Sequence, residues 1–178
     1  MLIQLAMVAG AVVAGLVVLA LLVLVGWRRH SPLVLKPLIR LQRAFINPRQ
    51  LQSAGTPGAY AAVIRHRGRT SGRSYETPVG VVATDDGFAV ALVYGERTNW
   101  LQNVLASGSA TIVHEGQTWQ VDRPVVVPMR TVESLFAAGD RQGFRVLGVD
   151  RALRVRRVEQ LDREPAGPAP AVAMEGAR

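Results

Sequence analysis

The hydrophobic pattern of the chain changes character twice. From Met1 to Trp27 apolar residues run almost unbroken, with no ionisable side chain and only Gln4 strongly polar. About 20 apolar residues in a helix suffice to cross a bilayer core, so residues 1–27 predict a transmembrane anchor. A cleaved signal peptide would begin with a basic region and end at a small-x-small site, whereas this run ends in Val-Gly-Trp-Arg-Arg-His. A helix apolar all round also exceeds what the small body behind it could cover as a core helix. Over residues 28–52 the pattern becomes amphipathic: Leu35, Leu38, Ile39, Leu41, Phe45 and Ile46 recur near helical spacing among Lys36, Arg40, Arg43 and Arg49. This juxtamembrane linker or helix either lies along the anionic leaflet or packs on the following domain with a solvated basic face. Pro48, Gly55, Pro57 and Gly58 then break the chain.

The body, residues 53–162, shows the short alternations of strands. Ala59–His66 reads as a strand, Gly68–Arg73 as a turn and Thr77–Thr84 as a second strand. Asp85-Asp86-Gly87 signals a hairpin into a third strand, Phe88–Tyr94. Thr98 or Asn99 can cap a helix that runs to Leu105 or Ala106 and stops at Gly108. Ala110–His114 and Thr118–Val121 flank Glu115-Gly116-Gln117 as another hairpin, and Val125–Val127 either extends the sheet or begins a crossing. Thr131–Ala138 predicts a short helix and Ala152–Val158 a last strand. Short hairpins with one or two small helices suggest an α+β fold built on a β-barrel or split barrel. Residues 163–178, with Pro165, Pro168 and Pro170 among Ala and Gly, read as a disordered tail.

Composition narrows the chemistry. The chain has 178 residues, 49% hydrophobic and 19% charged, too apolar for disorder and too poor in charge for a coiled coil. The absence of cysteine excludes disulfides, Cys-ligated metal, iron–sulfur clusters and thiol catalysis. A net charge of +8 favours an anionic partner: nucleic acid, acidic lipid, or a phosphorylated or carboxylated cofactor. Arg28, Arg29, Lys36, Arg40 and Arg43 follow the apolar run, which by the positive-inside rule places the body in the cytoplasm of a single-pass protein.

The most informative stretch is Arg65-His66-Arg67-Gly68-Arg69-Thr70-Ser71-Gly72-Arg73-Ser74-Tyr75-Glu76-Thr77-Pro78-Val79. Strand alternation puts Arg65 and Arg67 on one face and His66 on the other, while Arg69 and Arg73 bracket a glycine-containing turn. Guanidinia, hydroxyls and backbone N–H groups in that pattern suit phosphate or carboxylate oxygens, although a solvated basic hairpin tip has the same sequence. The glycine spacing matches neither a Walker loop nor a dinucleotide fingerprint. Tyr94-Gly95 ends a strand, and Trp100 and Asn103 follow on nearly the same face of the next helix. Trp100 can wall an aromatic ligand or belong to the core, and Asn103 can serve a site or the helix surface.

Together the two stretches resemble the deazaflavin-dependent nitroreductase family, the flavin/deazaflavin oxidoreductases. The resemblance rests on Gly68, Ser71, Gly72, Thr77, Pro78 and Val79 followed by Trp100, Asn103, Val104 and Ala106, and covers Ala59–Val113 best. It implies a split β-barrel of about six antiparallel strands binding coenzyme F-420. The cofactor residues it implies are Arg65, Arg67, Arg69, Thr70, Ser71, Gly72, Arg73, Tyr75, Thr77, Pro78, Val79, Tyr94, Gly95, Trp100 and Asn103, the turn holding the anionic tail and the later residues framing the ring. Thr70 and Tyr75 stand where the family usually carries basic residues, with Arg69 and Arg73 as substitutes. The implied activity is hydride transfer from the reduced deazaflavin to a small apolar acceptor such as a quinone, an activated alkene or a nitro compound. FMN is the less favoured cofactor. The anchor is also similar to that of a membrane-associated branch of fatty-acid binders, so a non-catalytic lipid-binding barrel stands as the alternative. The resemblance assigns no side chain as obligatory proton donor and leaves room for a homodimer.

Other chemistry has little support. His30, His66 and His114 lack metal-ligand spacing, Asp85-Asp86 is better explained as a turn, and Ser71 has no base partner in sequence. Arg151, Arg154, Arg156 and Arg157 form a stripe that could touch nucleic acid, but a solvated strand explains it first, so nucleic acid is not expected as a partner.

Overall fold

The computed structural model describes residues 1–29, 31–42, 44 and 47–161. Arg43, Phe45 and Ile46 of the predicted linker, His30 and the predicted tail 163–178 lie outside the described residues. Three helices come first: α1 (Leu2–Arg28), α2 (Pro32–Leu41) and α3 (Asn47–Leu51). Then follow β1 (Ala62–Arg67), β2 (Ser74–Val79), β3 (Val81–Ala83), β4 (Gly87–Ala91), α4 (Asn99–Ser107), β5 (Ser109–His114) and β6 (Gln117–Pro128). Two 3₁₀ turns, Met129–Thr131 and Glu133–Leu135, lead to α5 (Ala138–Leu147) and β7 (Arg151–Leu161).

The seven strands form one sheet in the order β2-β1-β5-β6-β7-β4-β3, every neighbouring pair antiparallel. Its two edge strands, β2 and β3, are consecutive in the chain with only Gly80 between them. The sheet must therefore curl until its edges approach, and the result is a split β-barrel in an α+β setting. Period-2 alternation fills the interior: Ala62 and Ile64 from β1, Phe88 and Val90 from β4, Ala110 and Ile112 from β5, Leu153 and Val155 from β7. Helix α4 adds Leu101 and Val104 to the same core and stops at Gly108, whose φ of 71° is the left-handed conformation that favours glycine. The outward residues of the same strands, Ala89 and Ala152, are covered by Met129, Val132, Phe136 and Val149, with Phe144 and Leu147 of α5.

Two expectations are corrected. The barrel has seven strands rather than six, because Thr77–Thr84 does not run as one strand but bends at Gly80 into β2 and β3. Val125–Val127 takes the first of its two expected courses and extends the sheet as part of β6, which continues past irregularities in its pairing with β7 between Gln120/Val121 and Asp122/Val125. The helix predicted at Thr131–Ala138 is instead a 3₁₀ turn: Val132 and Phe136 imitate helical spacing, but both simply dip into the outer core. The actual helix, α5, starts at Ala138 and escapes the pattern because Gly139 and Gly143 dilute its apolar face.

Within α1, Met7–Arg28 is 22 residues with a mean hydropathy of 3.0, long and apolar enough to cross a membrane. Its last turn is docked. The Trp27 and Tyr94 rings lie 5.3 Å apart, and the Arg28 guanidinium donates to the carbonyls of Arg145 (3.0 Å) and Val146 (2.9 Å) in the last turn of α5. The Arg145 carbonyl also accepts from the Gly148 N–H at 3.3 Å, and a cation at this end of α5 complements the helix dipole. Helix α2 folds back on α1 with Val34 packed over Gly26, leaving Leu33 and Leu41 exposed beside Lys36 and Arg40.

Gly87 opens β4 against Arg156 of β7, and a Cβ at this position would strike the Val155 carbonyl oxygen and lie 2.9 Å from Arg156 Cα. Because the obstacle is backbone, it cannot rotate away. Gly87→Ala is therefore expected to destabilise the barrel by about 2 kcal/mol or more, read as a lower denaturation midpoint of the full chain in detergent.

Candidate functional site

The inward row of β1 continues past Ala62 and Ile64 to His66, which is buried, while Arg65 and Arg67 point outward. Arg65 sits opposite Glu76 of β2 and donates to its carboxylate at 2.8 Å. Of the predicted cofactor residues, Arg65 and Arg67 are thus on the strand face away from His66.

After Arg67 the chain turns tightly. The Gly68 N–H donates to the Arg73 carbonyl and the Gly72 N–H to the Gly68 carbonyl, both at 2.8 Å, with Gly72 at φ 65°. Gly68 is required by packing, since a Cβ would meet Ser71 Oγ and the Tyr75 ring. Ser71 Oγ and the Tyr75 hydroxyl lie 3.0 Å apart, and the Tyr75 ring stacks on His66 with centroids 5.7 Å apart. Tyr75 therefore organises the turn from the neighbouring strand. Thr70, Ser71, Gly72 and Arg73 are exposed at its tip.

The turn delivers Arg69 to the first turns of α4. Asn103 Oδ1 accepts from the Arg69 backbone N–H (3.2 Å) and from its guanidinium (2.8 Å), and Asn99 Oδ1 lies 3.5 Å from a second guanidinium nitrogen. With its oxygen committed to Arg69, the buried Asn103 presents its amide nitrogen to His66 Nδ1 at 3.3 Å. Nδ1 is then the acceptor, which leaves the proton on Nε2, 3.2 Å from Thr77 Oγ1. One carboxamide thereby ties a cation, the β1–β2 turn and a neutral imidazole together. Burial lowers the His66 pKa to about 4, and the Asn103 N–H opposes a second proton on Nδ1.

The remaining expected residues divide. Trp100 is half-buried in the first turn of α4 against the barrel core, and Pro78 and Val79 are buried at the end of β2. Tyr94 is taken up by Trp27 of α1, and Gly95 makes a tight turn with φ 76°, its N–H donating to the Leu92 carbonyl. Sequence reasoning did not place His66 or Asn99 in the site. The signal for His66 was its position on the inward row of β1; for Asn99 there was only its place at the helix start. Thr98 Oγ1, at the head of α4, is buried and has no hydrogen-bond partner among the described residues.

The arginine stripe of β7 is internally neutralised. Arg154 pairs with Asp86 at 2.8 Å, Arg156 holds Asp122 through two bonds of 3.0 and 2.8 Å, and Arg151 lies 3.4 Å from Glu96. Arg157 donates to the Thr84 and Asp85 carbonyls and lies over the Phe88 and Trp119 rings. These charges are spent within the fold rather than displayed to a polyanion.

No family model and no curated protein matches this chain. Solved structures similar to it include an F420 reductase, at 10% identity and a TM-score of 0.46 over 62% of this chain and 94% of that one. A protein from Clostridium acetobutylicum related to a general stress protein of B. subtilis, of the pyridoxinephosphate oxidase family, is similar at 9% identity and a TM-score of 0.44 over 62% and 80%. HutZ, the heme storage protein from Vibrio cholerae, is similar at 12% identity and a TM-score of 0.43 over 70% and 91%. Likeness at this level assigns no ligand to this chain.

His66 is neutral when folded and has an ordinary pKa of about 6.5 when unfolded, so the unfolded chain binds the extra proton between pH 6.5 and about 4. Stability contributed by the neutral ring is full above pH 6.5 and falls as pH drops toward 4, by about 3 kcal/mol at most. Denaturation midpoints at pH 7 and pH 4.5 should differ for the native chain and differ less for His66→Gln.

Proposed function

We propose that this chain is a membrane-anchored oxidoreductase that holds reduced coenzyme F-420 at the β1–β2 turn and the start of α4, and passes its hydride to an apolar acceptor. The observation that supports this reading best is the fixing of Arg69 by Asn103 and Asn99. A guanidinium preorganised at the head of a helix suits an anionic tail, because its ordering is complete before the ligand arrives.

The residues present fit such a tail. Arg67, Arg69 and Arg73 are exposed around the turn, its one nearby acid, Glu76, is bound to Arg65, and Thr98 Oγ1 is an unused buried hydroxyl beside the same helix. When bound, the deazaflavin would supply the hydride. Arg69 and Arg73 would hold the phosphate and carboxylate groups, and Asn103 would keep Arg69 from swinging into solvent. Trp100, Pro78 and Val79 would frame the ring and exclude water. His66 has both ring nitrogens engaged and stays neutral near pH 7, so its role is to support Asn103 rather than to deliver a proton. Arg65 and Arg67, on the far face of β1, would contribute only long-range attraction.

The acceptor class is a quinone, an activated alkene or a nitro compound, reached from a body on the cytoplasmic side, as Arg28, Arg29, Lys36 and Arg40 after the span suggest. FMN remains the second cofactor to test. The lipid-binding alternative meets a barrel already filled by Ile64, Phe88, Leu101, Ile112 and Leu153. A fatty acid would therefore share the turn, its carboxylate on Arg69 and Arg73. A homodimer is part of the proposal, and light scattering of the same preparation checks it.

Titration of the delipidated full chain in detergent with oxidised coenzyme F-420, followed by its fluorescence and with FMN in parallel, should give saturable binding selective for the deazaflavin. Arg69→Ala with Arg73→Ala should weaken it about tenfold or more and flatten its salt dependence. Unchanged affinity would remove the turn from the site.

A further inference from the structure

The end of α1 and the end of α5 meet beside a cavity that lies apart from the β1–β2 turn residues. The Arg145 carbonyl receives Arg28, and the Arg145 side chain with that of Phe144 lines a cavity of about 230 Å³ against the 3₁₀ turn after β6. Arg28 is the first charge after the apolar run, so it marks the level at which hydrocarbon gives way to headgroups. Arg145, whose carbonyl receives Arg28, is itself part of the cavity's lining.

Its lining is of two kinds. Met129, Phe144 and Val149 are apolar, and Met129 and Val149 are buried. The polar lining carries both signs. Arg145 is bound to Glu133 at 3.0 and 2.9 Å, which leaves Arg130 and Asp150, both exposed and neither in an ion pair among the described residues. An anionic headgroup would satisfy Arg130 but would bring a second negative charge to Asp150. A molecule carrying one charge of each sign satisfies both. The volume is below the roughly 300–1,000 Å³ of drug-sized ligand sites, which suits a headgroup whose chains remain outside. Val146 on α5, whose carbonyl accepts from Arg28, and Leu33 at the start of α2 are exposed apolar side chains.

We infer that this cavity binds the headgroup of a zwitterionic membrane lipid, its phosphate toward Arg130 and its ammonium toward Asp150, with the acyl chains left in the leaflet that α1 enters.

The full chain, delipidated in non-ionic detergent, would be titrated separately with phosphatidylethanolamine and phosphatidylglycerol of identical chains, and bound lipid counted by native mass spectrometry. The expected result is saturation at one site with phosphatidylethanolamine, roughly tenfold tighter than with phosphatidylglycerol. Arg130→Gln and Asp150→Asn should each weaken the first lipid by a similar factor, and Asp150→Asn should also narrow the preference between the two. Both side chains are exposed, and melting curves of the variants verify that the fold is kept. Equal affinity for the two lipids, or variants that bind as the native chain does, would overturn the assignment.

Discussion

The two edge strands of the sheet are one piece of chain, joined through Gly80, and the rest of the body follows from that closure. A flat sheet of this strand order would hold β2 and β3 six strands apart, a gap that one residue cannot span. Curling removes the conflict and creates an inside. Inward rows from β1, β4, β5 and β7 then face one another, and α4 lays Leu101 and Val104 on the same core. The position of His66 is a consequence: it is the last member of an inward row that has run out of apolar company, so it is buried and must find polar partners.

Those partners come from elements distant in sequence. Thr77 lies on the neighbouring strand, and Asn103 comes from a helix that starts only after β4. A buried carboxamide left without partners would be costly, so the turn, the strand and the helix are each held by the same few bonds. The arrangement also separates duties. Arg69 keeps the charge and an outward reach, while His66 stays uncharged beneath it and makes Asn103 rigid.

Much of this was legible in the chain, for reasons that differ from residue to residue. The long apolar helix α1, the Asp85-Asp86-Gly87 hairpin and the Gly108 stop were readable because each depends on local chemistry: hydropathy, a turn signal and a left-handed cap. The Arg/Gly/Ser turn could be seen as basic, but the partner of Arg69 could not, because Asn103 is 34 residues away and only the barrel's curvature brings it near. The Glu76 partner of Arg65 was equally hidden, since it is set by the cross-strand register of β1 and β2. Tyr75 looked like the loss of a cation; in the fold it is a ring stacked on His66. The helix at Ala138–Leu147 was missed because its glycines hide an amphipathic face that becomes visible only when Phe144 packs on Phe136, their rings 5.1 Å apart.

The bond from Arg28 to the last turn of α5 ties the apolar helix α1 to the barrel at their junction. A helix attached by a slack tether can tilt or slide to suit the thickness of its bilayer at little cost. Here such a movement would drag Arg28 off its carbonyls and Trp27 off Tyr94. In a bilayer, a tilt of α1 would therefore turn the barrel with it.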